Sequence, residues 1–353
     1  MAWQGVYGHD EVVEQFRRAL ARRRLGGSLL LVGPAGVGKR TFAEKLAQTL
    51  LCSQNPPEAM NPCQSCPACR QVAAGTHPDL LVVAKPEEKS DIPLALLIGE
   101  GETRMRAGLV YNLGLRSYMG GWKIGLIDDA DFLNEEGANC LLKLLEEPPP
   151  QSLLVLIGTS PAKQLPTIRS RCQIVRFRPL PTELVATILL ERGLVPEAAQ
   201  ANRLAQLAQG SVRRALELAE EELWQFRNTL LEQLSQPSID SLGLTSAIDE
   251  FVKQAGKEAP PRRARLRNVV AFAAEFYRHV LLRRCAGVEP HDPQLAKYVS
   301  QAAAAGPDAE QIANCVDRCL LAAEQIDRNA HQETLIAAWF DELSRLWNSV
   351  TAG

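Results

Sequence analysis

The sequence predicts an α/β domain built on a parallel sheet covered on both faces, followed by an all-helical region. Three observations carry this. Short apolar runs at 28–32 (SLLLV), 80–83 (LLVV), 123–127 (KIGLI), 153–157 (LLVLI) and 173–177 alternate with helical patterns. The runs lack polar alternation, as strands buried on both faces require. After Pro179 no strand pattern remains, and helix follows helix.

Taken in order, residues 11–25 place Val12, Phe16 and Leu20 on one helical side and Arg17, Arg18 and Arg22 to Arg24 elsewhere. Strand 28–32 ends in a glycine-rich turn, and a helix follows over 39–51. A Pro- and Asn-containing loop carrying cysteines leads to strand 80–83. Residues 85–102 are polar at both ends and include a loop, and 103–116 predict a helix. After strand 123–127, a helix over 134–145 is stopped by Pro148, Pro149 and Pro150. Residues 181–218 predict two or three short helices. From Glu222 the helices are longer and amphipathic, punctuated at Ala259-Pro260-Pro261 and Glu289-Pro290. Val269, Phe272, Phe276, Leu281, Trp339 and Trp347 are expected core residues there, with a subset available for a subunit interface.

With 353 residues the chain is too long for one core and suits two or three domains. A net charge of −2 excludes a generally basic coat for nucleic acid, so such contact would need a local patch. Arg17 to Arg24 and Arg262, Arg263 and Arg265 are candidates, and each is equally a solvated helix face. No apolar run is long enough to span a membrane, and the N-terminus lacks a basic-then-apolar secretory layout. The expectation is a cytoplasmic protein with no membrane partner.

Gly33-Pro34-Ala35-Gly36-Val37-Gly38-Lys39 stands between a strand and a helix, the context a phosphate-binding loop requires. Glycines let backbone N–H groups turn around phosphate oxygens, and Lys39 would reach the outer phosphates. The residue after the lysine should be Ser or Thr, whose hydroxyl ligates Mg²⁺, but it is Arg40. Thr41 follows one residue later, roughly 100° around the helix and away from the metal position. ATP or ADP is therefore expected to bind weakly or without Mg²⁺ and to be hydrolysed poorly or not at all. Asp128, at the end of strand 123–127, suits orientation of Mg²⁺. Asp129 stands where a glutamate would polarise water, one methylene short. Asp131 reads as a helix cap.

Cys63, Cys66 and Cys69 are spaced by three, and Cys52 lies eleven residues before Cys63. Four thiolates suit structural, tetrahedral Zn²⁺. Cys315 and Cys319 share a helix face and read as buried small residues.

The run Gly121 to Pro150 (GWKIGLIDDADFLNEEGANCLLKLLEEPPP) resembles the bacterial DNA polymerase III clamp-loader subunits of the AAA+ superfamily. Ser170-Arg171-Cys172, the phosphate loop and the cysteine insertion fit the same pattern. The resemblance is specific over about 5–218 and extends beyond only in helical character. It implies an AAA+ P-loop domain with the cysteine module (1–178), a small helical lid domain (179–222) and an all-α collar domain (223–353) where five subunits meet. The motor (gamma/tau) type looks as if it should carry Thr at 40 and Glu at 129. Arg40 and Asp129 make this chain more similar to the delta-prime type, which hydrolyses little or no ATP and lends an arginine to its neighbour. By that resemblance Arg171 is the arginine finger acting in trans, and Thr159 (with Ser160) and Arg213 sense the nucleotide. From the residues alone, Arg171 reads as a surface arginine beside an acid, Thr159 as a strand-end hydroxyl and Arg213 as an exposed helix arginine. The implied partners are gamma/tau and delta subunits in a hetero-pentameric ring, with the sliding clamp and primer–template DNA reached through the complex. A gamma/tau-type motor and a zinc-bearing adaptor with a vestigial nucleotide fold are the competing readings.

Overall fold

A computed structural model of the chain describes residues 3–86, 88–290, 292–305, 307–328 and 330–348. The chain divides into two units, Met1–Leu216 and Glu217–Gly353. In chain order the first unit carries α1 (Asp10–Ala21), β1 (Ser28–Val32), α2 (Lys39–Leu51), α3 (Pro67–Ala73), β2 (Leu80–Val83), α4 (Leu94–Ile98) and α5 (Gly108–Gly114). It continues through β3 (Lys123–Ile127), α6 (Glu135–Glu146), β4 (Ser152–Gly158), α7 (Pro166–Arg169), β5 (Gln173–Arg176), α8 (Thr182–Glu191) and α9 (Ala198–Leu207) to the start of α10 (Val212–Ala219).

The five strands pair in the order β2-β3-β4-β1-β5, every pair parallel. This is the parallel sheet covered on both faces that the sequence predicts, with the glycine-rich loop leaving the end of β1. Leu30 lies between Leu156 of β4 and Ile174 of β5, and Ile127 lies beside Leu156. Strand alternation divides the core. Leu29 and Leu31 face one side with Phe16, Phe42, Leu46 and Val155, while Leu30 and Val32 face the other with Leu109, Leu141, Leu154 and Ile168. Each fully buried leucine contributes about 1.5–3 kcal/mol relative to exposure. Because all strands run one way, the residues following β1, β3 and β4 emerge at one edge of the sheet, which is where the site is built.

The helix expected over 103–116 is shorter, beginning only at Gly108. Met105 has φ of 64°, outside helical space, and Gly108 has φ of 82°. A Cβ at Gly108 would come within 2.6 Å of the Leu97 carbonyl group, so the α4–α5 approach needs glycine and interrupts the helix.

The second unit contains α11 (Glu221–Leu234), α12 (Ser241–Lys253), α13 (Ala259–Ala286), α14 (Pro293–Ala305), α15 (Ala309–Asp327) and α16 (Gln332–Asn348). Pro260 and Pro261 lie in the first turn of α13, where a missing N–H costs nothing. Phe276, Tyr277, Trp339, Phe340 and Trp347 are buried. Cys315 and Cys319 are buried among them, and burial pushes the Cys315 thiol up to about 12. Arg227, also buried, pairs with Asp292 at 2.9 Å and lies over the Trp224 ring, 4.8 Å from its centroid.

Candidate functional site

The phosphate loop closes on itself. Lys39 Nζ donates to the carbonyl oxygens of Gly33 and Pro34, each at 2.6 Å. Burial lowers the Lys39 pKa, opposed by the carboxylates of Asp131, Asp128 and Asp129. His9, at the start of α1, donates from Nε2 to the Val37 carbonyl at 2.8 Å and so ties the loop to that helix. Its ring packs edge-on against Phe177, and burial lowers its pKa.

Arg40 occupies the position where magnesium chemistry would be expected. Its Nη1 donates to Asp128 Oδ2 at 3.0 Å and its Nε to Glu44 Oε1 at 2.9 Å. The guanidinium thus neutralises the carboxylate that would orient a divalent cation. Thr41 is half-buried on α2. Asp129 has φ of 56°, a left-handed conformation. Burial raises its pKa, as does the Asp128 charge, against the pull of Lys85 and Arg213.

Asp131, expected to cap a helix, does not: Asn134 caps α6, and the Asp131 carboxylate is taken up by β4 and the segment after it. Oδ2 accepts from the Thr159 backbone N–H at 2.9 Å and from the Thr159 hydroxyl, and Oδ1 accepts from Gln164 Nε2 at 2.7 Å. One carboxylate therefore joins the end of β3 to the end of β4 and engages the hydroxyl expected to sense phosphate. The third acid of Asp128-Asp129-Ala130-Asp131 was the available sequence signal. Nothing in the sequence pointed to His9.

The start of α10 lies directly on the loop. Val212 N–H donates to the Gly36 carbonyl at 3.1 Å. A Cβ at Gly36 would lie 2.5 Å from Arg213 Cβ and 2.6 Å from Ser211 Oγ, and Gly36 has φ of 73°. Glycine there serves both the turn and the close approach of Arg213. Gly33, Gly36, Gly38, Lys39, Arg40, Asp128, Asp129, Thr159 and Arg213 are thus gathered at one sheet edge.

Arg171 stands apart, between α7 and β5. Its Nε and Nη2 converge on Glu146 Oε1 at 2.9 and 2.7 Å. Nη1 donates to the Thr167 carbonyl and Ser170 Oγ, both at 3.1 Å. The acidic neighbour of the plainer reading therefore exists.

Cys52, Cys63, Cys66 and Cys69 place four sulfurs within 4.8 Å of one another, with Cys63 and Cys69 at 3.9 Å. Tetrahedral Zn–S bonds of about 2.3 Å imply S···S edges of roughly 3.8 Å, so the set fits a metal ion. Backbone N–H groups of Asn55, Cys66 and Cys69 point at the sulfurs of Cys52, Cys63 and Cys66 at 3.3–3.4 Å, favouring thiolates. Gln48 Nε2 donates to the Cys69 carbonyl at 2.9 Å and Trp3 Nε1 to that of Met60 at 2.5 Å, fastening the loop to the sheet domain.

Comparison with known proteins places these features. A family model described as "DNA polymerase III, delta subunit" matches residues 8–181. DNA polymerase III subunit delta-prime of Pseudomonas aeruginosa is 41% identical over 183 residues, 52% of this chain and 52% of that protein. Its counterpart in Escherichia coli K12 is 32% identical over 237 residues, 67% of this chain and 66% of that protein. The chain belongs to the DNA polymerase III delta-prime family. The matches span about half to two thirds of the length of these delta-prime relatives. A gamma/tau subunit from Mycobacterium bovis is 31% identical over 222 residues but matched over only 36% of its length. The span matched by the family model carries the phosphate loop, Asp128, Arg171 and the cysteines. Among the described residues no helix is long and apolar enough to cross a membrane.

Proposed function

We propose that this chain is the non-motor, delta-prime subunit of a DNA polymerase III clamp loader. It joins gamma/tau and delta subunits in a hetero-pentameric ring in the cytoplasm and assists ATP-driven placement of a sliding clamp on primed DNA. The carrying observation is the Arg40–Asp128 contact at 3.0 Å. A fixed guanidinium stands beside the carboxylate that would hold Mg²⁺, so the chain's own turnover of ATP is weak or absent. Asp129, short by one methylene and turned left-handed, removes the second requirement for hydrolysis. The delta-prime resemblance and the absence of Thr at 40 and Glu at 129 favour this over a gamma/tau-type motor.

In this reading Arg171 acts on the nucleotide of the neighbouring subunit, where a guanidinium at the γ-phosphate accelerates hydrolysis by ~10³–10⁵. Residues 179–222 serve as the lid, whose Arg213 lies over the phosphate loop. Residues 223–353 form the collar. The four cysteines hold Zn²⁺, which braces the insertion and takes no part in chemistry because four sulfurs leave no open position. The clamp and primer–template DNA are met through the complex.

The test has two arms. Purified chain is titrated with ATP with and without Mg²⁺ and assayed for turnover. Robust Mg²⁺-dependent hydrolysis by the chain alone would overturn the non-motor reading. In the loader assembled with gamma/tau and delta subunits, Arg171→Ala should lower clamp- and DNA-stimulated ATPase while the chain still assembles. An unchanged rate would remove the finger.

A further inference from the structure

The proposed finger does not stand alone. Arg171 is the second residue after the four-residue helix α7. Its backbone N–H donates to the carbonyl of the buried Ile168 at 3.1 Å, so its Cα is anchored to the core. Its side chain is 35% exposed, on a surface where a long side chain ordinarily samples many rotamers. Two contacts remove that freedom. Glu146, the last residue of α6, accepts from Nε and Nη2 with one carboxylate oxygen, and the Thr167 carbonyl takes Nη1. Helix α6 itself is fixed by the buried Leu141, Leu144 and Leu145 and ends against three prolines.

We infer that Glu146 is a positioning residue for Arg171, holding the guanidinium in the direction from which it meets an anionic oxygen bound by a neighbouring subunit. The inference rests on the finger reading above. With Nε and one Nη2 hydrogen on Glu146 and Nη1 on Thr167 and Ser170, one Nη2 N–H of the five donors is left to meet a phosphate oxygen. Glu146 is 51% exposed, so solvent screens its repulsion of the phosphate. Ordering of the side chain therefore outweighs loss of positive charge, and removing Glu146 slows the neighbour.

The experiment uses the complete loader with gamma/tau and delta subunits, each variant isolated as the assembled complex by gel filtration, so that rates refer to assembled rings. Glu146→Ala should lower kcat for stimulated ATP hydrolysis about two- to fivefold, the scale of a half-exposed ion pair, with KM for ATP unchanged. Glu146→Gln keeps an oxygen acceptor for Nε and Nη2 and should recover at least half of the lost rate, which a general loosening of α6 would not do. Arg171→Ala, run beside them, should lower kcat by ~10³ or more if the finger acts. If Arg171→Ala collapses the rate while Glu146→Ala matches or exceeds the unaltered loader, the positioning role is wrong and the finger stands. If Glu146→Gln is as slow as Glu146→Ala, positioning by an oxygen acceptor is equally refuted. If Arg171→Ala changes nothing, the finger fails and Glu146 loses its role with it.

Discussion

Replacing Arg40 by threonine should convert a metal-excluding site into a metal-accepting one. A Mg²⁺ ion on Asp128 Oδ2 would sit about 2 Å from an oxygen that now accepts from Arg40 at 3.0 Å. Ion and guanidinium would then lie within roughly 4 Å. Repulsion between a unit charge and a double charge at that distance is about 2 kcal/mol in bulk water and about 8 kcal/mol at an effective dielectric constant of 20. Arg40 is 54% exposed and Asp128 16%, so the lower figure is the safer one. Even about 2 kcal/mol is ~30-fold in metal affinity. The threonine hydroxyl would also supply the missing ligand at the start of α2. The loss of Arg40 pairs with Asp128 and Glu44 costs little, about 0.2–1 kcal/mol each. Calorimetric titration with ATP in Mg²⁺ and in chelator is the assay. Arg40→Thr should bind at least about tenfold more tightly with Mg²⁺ than without it, while the unaltered chain shows no such dependence. Turnover should stay low because Asp129 is untouched. If Arg40→Thr shows no dependence on Mg²⁺, or if the unaltered chain already shows it, the reasoning fails.

Other consequences lie around the site. Asp79 is fully buried and accepts from Tyr118 N–H at 2.7 Å, Met119 N–H at 2.9 Å and Ser117 Oγ at 3.0 Å. Asp79→Ala would orphan these donors and leave Lys123 without the carboxylate 4.0 Å away, and should cost about 3–5 kcal/mol in urea unfolding. His9 has its pKa lowered by burial, so the folded chain keeps it neutral while the unfolded chain takes up a proton. Stability should fall as pH drops below about 6.5, levelling once folded His9 is protonated, and His9→Gln should flatten that slope in unfolding experiments. Freshly purified chain should carry about one zinc per molecule, and Cys66→Ser should release it and expose the 52–69 loop to proteolysis. Less than about half an equivalent by metal analysis would count against the zinc assignment.

The five strands were legible within a residue or two because buried parallel strands write themselves as uninterrupted apolar runs. The phosphate loop was legible because glycine spacing is a backbone requirement, and the cysteine set because thiols three apart share little else in common. What was hidden depended on partners distant in sequence. Asp131 meets Thr159 and Gln164 some thirty positions away, and His9 meets the carbonyl of Val37. A carbonyl acceptor leaves no signature in side-chain pattern. The helix expected over 103–116 failed for a comparable reason, since the α4–α5 contact at Gly108 is set by packing and overrides helical propensity. The three-part division implied by the resemblance stands beside two compact units, with α8 and α9 counted in the first.

Under the proposed non-motor role, the contacts within the site give a reason for a phosphate loop to persist without turnover. A nucleotide site without its ligand presents a lysine, several carboxylates and turned backbone groups that need compensation. Here that compensation is internal. Arg40 takes the place of the divalent cation at Asp128, Lys39 is held by the Gly33 and Pro34 carbonyls, and Thr159 is held by Asp131. The Gly36 carbonyl accepts from the α10 backbone at Val212. With these groups satisfied, folding of the domain gains little from nucleotide, since a ligand stabilises only in proportion to its binding to the folded state. The thermal midpoint of the unaltered chain should therefore stay within about 1 °C on addition of millimolar Mg²⁺–ATP, whereas Arg40→Thr should rise by several degrees. A large rise for the unaltered chain would mean that its loop still depends on nucleotide, and that the shape is not sustained by Arg40 and Lys39.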